Sequence, residues 1–215
     1  MNDQLSPLPP ETMALPTDFP NDLTKAGKAG KGGDVQITNA EFIATVFPCL
    51  PEGAFPAACS FEGDPGGYPC RRVDQTAVGL TAETNNYVGC SSFYPGNDGS
   101  FKAVKANFAA CHFLMLDDLN TKAPMERLGG FELSWLIETS PGNYQGGIIF
   151  SEPLTDGAEA TRLLNAVISS GLCDPGATSP LTRWARLPIA INGKPKYFDA
   201  TDIPFQCRLV EWQPD

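Results

Sequence analysis

Three segments carry residue types that could do chemistry. LMLDDLNTK at 114–122 ends an apolar run in the adjacent carboxylates Asp117 and Asp118; ETSPGNYQ at 138–145 is a polar turn between apolar runs; RWARLPIAINGK at 183–194 concentrates positive charge. An acidic pair, a polar turn and a cationic segment are what a metal-dependent nucleotidyl-transfer site needs. Hard divalent cations take carboxylate oxygens, and Mg²⁺ is commonly held by one or two carboxylates together with substrate phosphates.

Each segment also has a plainer reading. Successive side chains on a strand point to opposite faces, so Asp117 and Asp118 can face one site only if the strand ends or bends there. Asn120 and Thr121 supply that turn tendency, and a polar turn in which Asp118 and Asn120 satisfy backbone donors would use the same residues. The amides and hydroxyls of TSPGNYQ can cradle phosphate oxygens, yet they also make a good hairpin turn. No GxxxxGK[ST] phosphate loop occurs anywhere in the chain. Arg183 and Arg186 match phosphate geometry and Lys194 and Lys196 act as point charges; a structural ion pair is the competing role for either arginine. Asp174, in GLCDPG, is by spacing alone an ordinary turn aspartate before proline.

Composition limits the other classes. The single histidine, His112, sits beside an apolar run and next to Cys111. That leaves a Cys–His pair formally open, with a buried core histidine as the plainer role. Acidic residues without a second histidine fit metal-assisted phosphoryl chemistry better than acyl transfer. A glycosidase built on paired carboxylates would want an aromatic sugar platform, which is not evident. The seven cysteines are scattered and none forms CxxC, which suits reduced buried thiols better than a zinc site or a disulfide framework. A formal charge of −10 argues against nucleic-acid binding by bulk electrostatics. The first residues have neither a basic start nor an apolar core, and no run is long enough to cross a membrane; the expected location is cytoplasmic.

The elements that must position these segments follow from pattern. Residues 1–34, with five prolines, four glycines and KAGKAGKGG, read as a flexible tail, and 35–215 as one domain. Thr38 or Asn39 caps a short helix over NAEFIATVF that Pro48 stops. Strands are expected near Ala57–Phe61, Asn86–Phe93, Phe113–Leu116, Phe131–Ile137 and Tyr144–Phe150, the last two joined as an antiparallel hairpin by T-S-P-G-N. Asp156 and Glu159 form a capping pair for a helix that runs to about Ser170, with Ala160, Leu163, Leu164, Val167 and Ile168 on one face and Gly171 as its stop. Strands and helices without regular βαβ alternation favour an α+β fold with a mainly antiparallel sheet.

LMLDDLNTK, then WLIETSPGNYQ, then GLCDPGATSPLTRWARLPIAINGK resembles the RepB-type primase domain of plasmid and phage replication proteins, within the archaeo-eukaryotic primase (primase-polymerase) superfamily. The resemblance is clear over about 86–212, fainter over 38–85 and absent from 1–34. ETSPGNYQ followed by RxxRLPxxxNxK is its specific part.

The resemblance implies an RRM-like antiparallel sheet with flanking helices and a smaller α/β subdomain. It implies primer synthesis on a single-stranded DNA template from nucleoside triphosphates, by two-metal catalysis with Mg²⁺ or Mn²⁺. Asp117, Asp118 and Asp174 would hold the metals. Ser140, Asn143 and Gln145 would contact the triphosphate, as would Arg186 and Lys194 with Arg183 and Asn192. Many members of the superfamily have D-x-D where this chain has adjacent aspartates, a form the resemblance to the RepB-type branch accommodates, and the pattern departs from some relatives in having Arg183 where they carry a histidine. The helical C-terminal domain common in such primases is not in the sequence, so a helical module or a replicative helicase is the further partner implied. A non-catalytic module binding single-stranded DNA or nucleotide is the alternative, and a template-independent phosphohydrolase a third reading.

Overall fold

The structure, a computed structural model, describes residues 37–63, 70–73 and 80–214. The segment read as a tail, 1–34, lies outside them. Helix α1 (Asn39–Val46) begins with a complete capping box: the Thr38 hydroxyl accepts from the Glu41 N–H while the Glu41 carboxylate accepts from the Thr38 N–H. Strands β1 (Phe55–Phe61), β2 (Arg71–Arg72), β3 (Asn85–Phe93), β4 (Phe108–Leu119), β5 (Trp135–Ser140) and β6 (Asn143–Leu154) follow. Helix α2 (Gly157–Ser169) is capped by Asp156, whose carboxylate accepts from Ala158 N–H, and ends before Gly171 at φ 74°. Four short strands complete the chain: β7 (Trp184–Arg186), β8 (Ile191–Asn192), β9 (Phe205–Gln206) and β10 (Arg208–Trp212).

The main sheet runs in the order β10-β5-β6-β4-β3-β1-β2, with β7 added against β3, and every pairing between strands is antiparallel. The apolar run of β4 makes it central. Phe113 and Met115 join one core with Phe42, Ile43 and Val46 of α1 and with Trp135 and Ile137 of β5. Leu114 and Leu116 point the other way and join a second core with Leu164, Val167 and Ile168 of α2 and with Leu136. A continuous apolar run is what a strand buried on both faces requires, and one helix covers each side. Among the described residues no helix is long and apolar enough to cross a membrane.

The expected elements are present, with shifted ends. The strand anticipated over Phe131–Ile137 runs from Trp135 to Ser140, and Phe131 is exposed in the loop before it. A 3₁₀ turn at Met125–Leu128 and Gly129 at φ 57° delay entry into the sheet. The T-S-P-G-N hairpin forms as expected, with Ser140 opposite Asn143 and Gly142 at φ 69° in the turn.

The sheet forks at β3. One edge of β3 pairs with β1 along its length. The other edge is shared: Ser91, Ser92 and Phe93 pair with the start of β4, while Tyr87, Val88 and Gly89 pair with β7. From Phe113 onward β4 is no longer paired with β3, and β7 takes its place there. The acidic end of β4 and the basic strand β7 are the two prongs.

Candidate active site

The acidic pair is delivered by a break in register. Leu116 of β4 faces Gly146 of β6 and Leu119 faces Tyr144, three steps on one strand against two on the other. The extra residue is a β-bulge, and Asp118 takes φ 53° within it, a left-handed value that Asp and Asn tolerate better than most side chains. The bulge cancels the alternation that would send the two carboxylates to opposite faces. Asp117 and Asp118 line the same open cleft, of about 380 Å³. The turn that follows is held by Asp118: its carbonyl accepts from the N–H groups of Lys122 (2.9 Å) and Ala123 (3.1 Å), and Asn120 N–H returns to Ala123 O (2.7 Å).

Every carboxylate oxygen here has a partner. Asp117 Oδ1 accepts from Gln145 Nε2 (2.9 Å) and Asp118 N–H (3.0 Å), and Asp117 Oδ2 accepts from Arg183 Nη2 (2.6 Å). Asp118 Oδ1 accepts from Asn143 Nδ2 (3.1 Å). Lys122 Nζ lies 2.8 Å from Asp118 Oδ2 and 2.8 Å from Asp174 Oδ2. Asp174 Oδ1 takes Gly176 N–H (2.9 Å). Burial opposes ionisation of Asp174, but the Lys122 ammonium and the Gly176 N–H outweigh it and hold the carboxyl below its ordinary value. Asp118 and then Asp174 in turn hold the Lys122 ammonium protonated.

Nine of the ten residues singled out in the sequence line this cleft: Asp117, Asp118, Ser140, Asn143, Gln145, Arg183, Arg186, Asn192 and Lys194. Asp174 is joined to them through Lys122. The three aspartates do not converge on one point; among the described residues no group of three or more His, Cys, Asp or Glu side chains is placed to hold a metal ion. The donor chemistry nonetheless suits a hard divalent cation. All donors are carboxylate oxygens, and those of Asp118 and Asp174 already meet on a single positive charge.

The polar and basic residues have definite engagements. The Gln145 amide spans the fork, donating to Asp117 and accepting from the backbone N–H of Arg186 (3.0 Å), which fixes its orientation. Asn143 donates to both Asp118 and Thr139 Oγ1 (3.2 Å). These two amides line the cleft and orient the carboxylates. Arg186 is buried over the ring of Tyr87 (4.6 Å) and donates to Asn85 Oδ1 (3.1 Å) and Ile191 O (2.6 Å). Among the described residues no carboxylate pairs with it, so its charge is turned over to the cleft in a low-dielectric setting. Asn192 donates to Thr139 O (2.7 Å) and ties β8 to the hairpin. Gly193 is required beside it: a Cβ there would lie 2.7 Å from Gly63 O.

Cys111 and His112 do not form a pair. Cys111 Sγ donates to Phe113 O (3.5 Å), while His112 Nε2 meets Ser92 Oγ (2.9 Å) and its ring packs on Phe47.

Lys122, Tyr87 and Tyr197 received no role from the sequence. Lys122 was within the acidic segment, four residues from Asp118, a spacing that signals a pair only in a helix or tight turn. Tyr197 lines the cleft beside two lysines, and hydrogen bonds with Lys196 and then Ser140 lower its phenol below the ordinary value; the signal available was an aromatic inside a basic run.

No family model matches the chain, and no curated protein sequence does. Solved structures do. The chain is similar to the crystal structure of primase RepB′ at 16% identity and a TM-score of 0.54, over 83% of this chain and 58% of that one. It is similar to the catalytic domain of primase RepB′ in complex with initiator DNA at 16% identity and 0.54, over 82% and 86%. It is also similar to the primase-polymerase domain of cyanophage S-2L at 13% identity and 0.54, over 81% and 89%. The chain thus spans 58% of the length of the longer RepB′ primase chain. At these identities the likeness establishes the fold: an α+β core with a multi-stranded antiparallel sheet flanked by helices, of the archaeo-eukaryotic primase kind.

Proposed function

We propose that this chain is a RepB-type, DNA-dependent primase or primase-polymerase domain, working in plasmid or phage replication in the cytoplasm. It would form phosphodiester bonds from nucleoside triphosphates on single-stranded DNA, with a replicative helicase or a helical module as its further partner. The observation that supports this most is the bulge at Asp118, which brings Asp117 and Asp118 into one cleft with Arg183, just before the β7 prong, and with Lys194, just after β8.

Asp117, Asp118 and Asp174 are the residues that would hold Mg²⁺ or Mn²⁺. A divalent metal held there would supply Lewis-acid stabilisation of charge developing on the attacking 3′-oxygen and on the leaving pyrophosphate. The chain's own residues do the rest. Gln145 and Asn143 hold the carboxylates in fixed rotamers. Arg183 and Lys194 offer charge to the triphosphate, and the buried Arg186 adds a preorganised field behind them. This local positive charge lets a protein of net charge −10 accept a polyanion.

Primer synthesis on single-stranded DNA, followed by gel with labelled nucleotide in Mg²⁺ and Mn²⁺, tests the reading. Asp117→Asn and Asp174→Asn are each expected to abolish synthesis while circular dichroism stays native. Full synthesis by both variants overturns it.

The neutralisation of all three aspartates by Lys122 and Arg183 supports a second reading, a non-catalytic module that binds single-stranded DNA or nucleotide. Filter-binding affinity for DNA with no incorporation in either metal would select it.

A further inference from the structure

Lys122 stands in an unusual position. Its ammonium is 2.8 Å from a carboxylate oxygen of Asp118 and 2.8 Å from one of Asp174, residues far apart in the chain. The side chain is 58% exposed, so it can leave without unpacking anything. Its backbone cannot leave: Lys122 N–H is tied to Asp118 O by the turn after the bulge. The second cation of the site differs. Arg183 is 18% exposed, bound to Asp117, and anchored further by Nη1 to Gly176 O and Thr178 O (both 3.4 Å). One counter-ion is fixed and one is displaceable.

We infer that Lys122 is an internal competitor for the divalent cation, holding the position between Asp118 and Asp174 until a metal displaces it. The inference rests on the metal-site reading above and adds a residue that sets its threshold. An ammonium nitrogen sits about 2.8 Å from its carboxylate partners, whereas Mg²⁺ needs oxygens at about 2.0–2.1 Å. The two carboxylates must therefore draw together by less than about 1 Å each when the ammonium swings out, a shift that side-chain torsions alone provide.

Mn²⁺ binding without nucleotide, by isothermal titration or by the loss of the free-ion electron paramagnetic resonance signal, is the test. Lys122→Met keeps the stem and removes the charge. It is expected to bind Mn²⁺ roughly tenfold more tightly than the natural chain, the combined effect of two solvent-screened ion pairs. Lys122→Arg keeps the competitor and is expected to stay close to the natural value. Asp118→Asn in either background is expected to abolish binding. An unchanged Mn²⁺ affinity in Lys122→Met, with Asp118→Asn still abolishing it, overturns the role of Lys122 and leaves the metal site standing. No Mn²⁺ binding by either the natural chain or Lys122→Met overturns both. Thermal melting with and without Mn²⁺ gives a second readout, with the larger metal-induced rise expected for Lys122→Met.

Discussion

The backbone N–H of Asp174 donates to the backbone carbonyl of Asp117 at 3.1 Å, and the N–H of Asp117 donates to the sulfur of Cys173 at 3.3 Å. The two acidic segments, 57 residues apart, are clasped by a reciprocal pair of bonds. The clasp, together with Leu172 and Cys173 packing into the core that holds Leu116 and Leu119, brings the segment after α2 to the end of β4.

Cys173 is therefore a structural member of the site. It is buried, and burial pushes its thiol up from the ordinary value, so it acts as a neutral acceptor. Cys173→Ala orphans the Asp117 N–H and opens a small cavity, a loss of about 1–3 kcal/mol. Cys173→Ser returns an acceptor and is expected to recover part of it. Urea unfolding of the three proteins checks the order, and an alanine variant as stable as the natural chain would remove the clasp from the account.

Gln145 couples the prongs of the fork. Replacing it with leucine keeps the volume and removes both the donor to Asp117 and the acceptor for Arg186 N–H. Asp117 would then be held only by Arg183 and the Asp118 N–H, with nothing to tie it to the β7 prong through Gln145. Primer synthesis is expected to fall by up to about a hundredfold, the scale of a reacting group misplaced by 1 Å, with a smaller change in DNA affinity. Equal losses in DNA binding and synthesis would instead mark Gln145 as a template contact.

How much of this was legible in the sequence depends on how local the cause is. The helix cap at Thr38 or Asn39, the Gly171 stop and the Pro141-Gly142 hairpin are set by neighbouring residues and could be read directly. The two-faced burial of β4 was written in its unbroken FLML run. Asp118 could be flagged only as a condition, that the strand must bend, because the bulge is fixed by which residues of β6 it meets. Strands β7, β8 and β9 are two or three residues long, too short for alternation to show; β7 exists because β3 offers it an edge, and β8 and β9 because they pair with each other in a separate two-stranded sheet. Lys122 was invisible as a partner of Asp174 for the same reason: their meeting depends on the packing of α2.

His112 gives a pH dependence apart from the cleft. Ser92 Oγ lies 2.9 Å from His112 Nε2 and 3.5 Å from Ala110 O, and among the described residues Nδ1 has no hydrogen-bond partner. Burial lowers the imidazole from 6.5 to about 4. Between these values the unfolded chain binds a proton that the folded chain does not, so stability rises with pH across that window. The contribution is fully present above pH 6.5, is lost as pH falls toward 4, and amounts to about 3 kcal/mol. As the only histidine, His112 gives a single imidazole signal by nuclear magnetic resonance. The natural chain is expected to lose stability relative to His112→Gln over this range; a signal titrating near 6.5 would contradict the burial argument.

The left-handed φ of Asp118 sets a last expectation, one that separates backbone strain from chemistry. A β-branched side chain at φ 53° is disfavoured by roughly 1–2 kcal/mol, glycine is not, and asparagine lies near glycine. Asp118→Val, Asp118→Asn and Asp118→Gly all remove the carboxylate and are expected to lose primer synthesis alike. Their stabilities should nonetheless split, with valine below glycine by about that amount and asparagine close to glycine. Three variants of equal stability would mean that the bulge relaxes when its aspartate is removed. The carboxylate itself, through Lys122 and Asn143, would then be what holds β4 out of register.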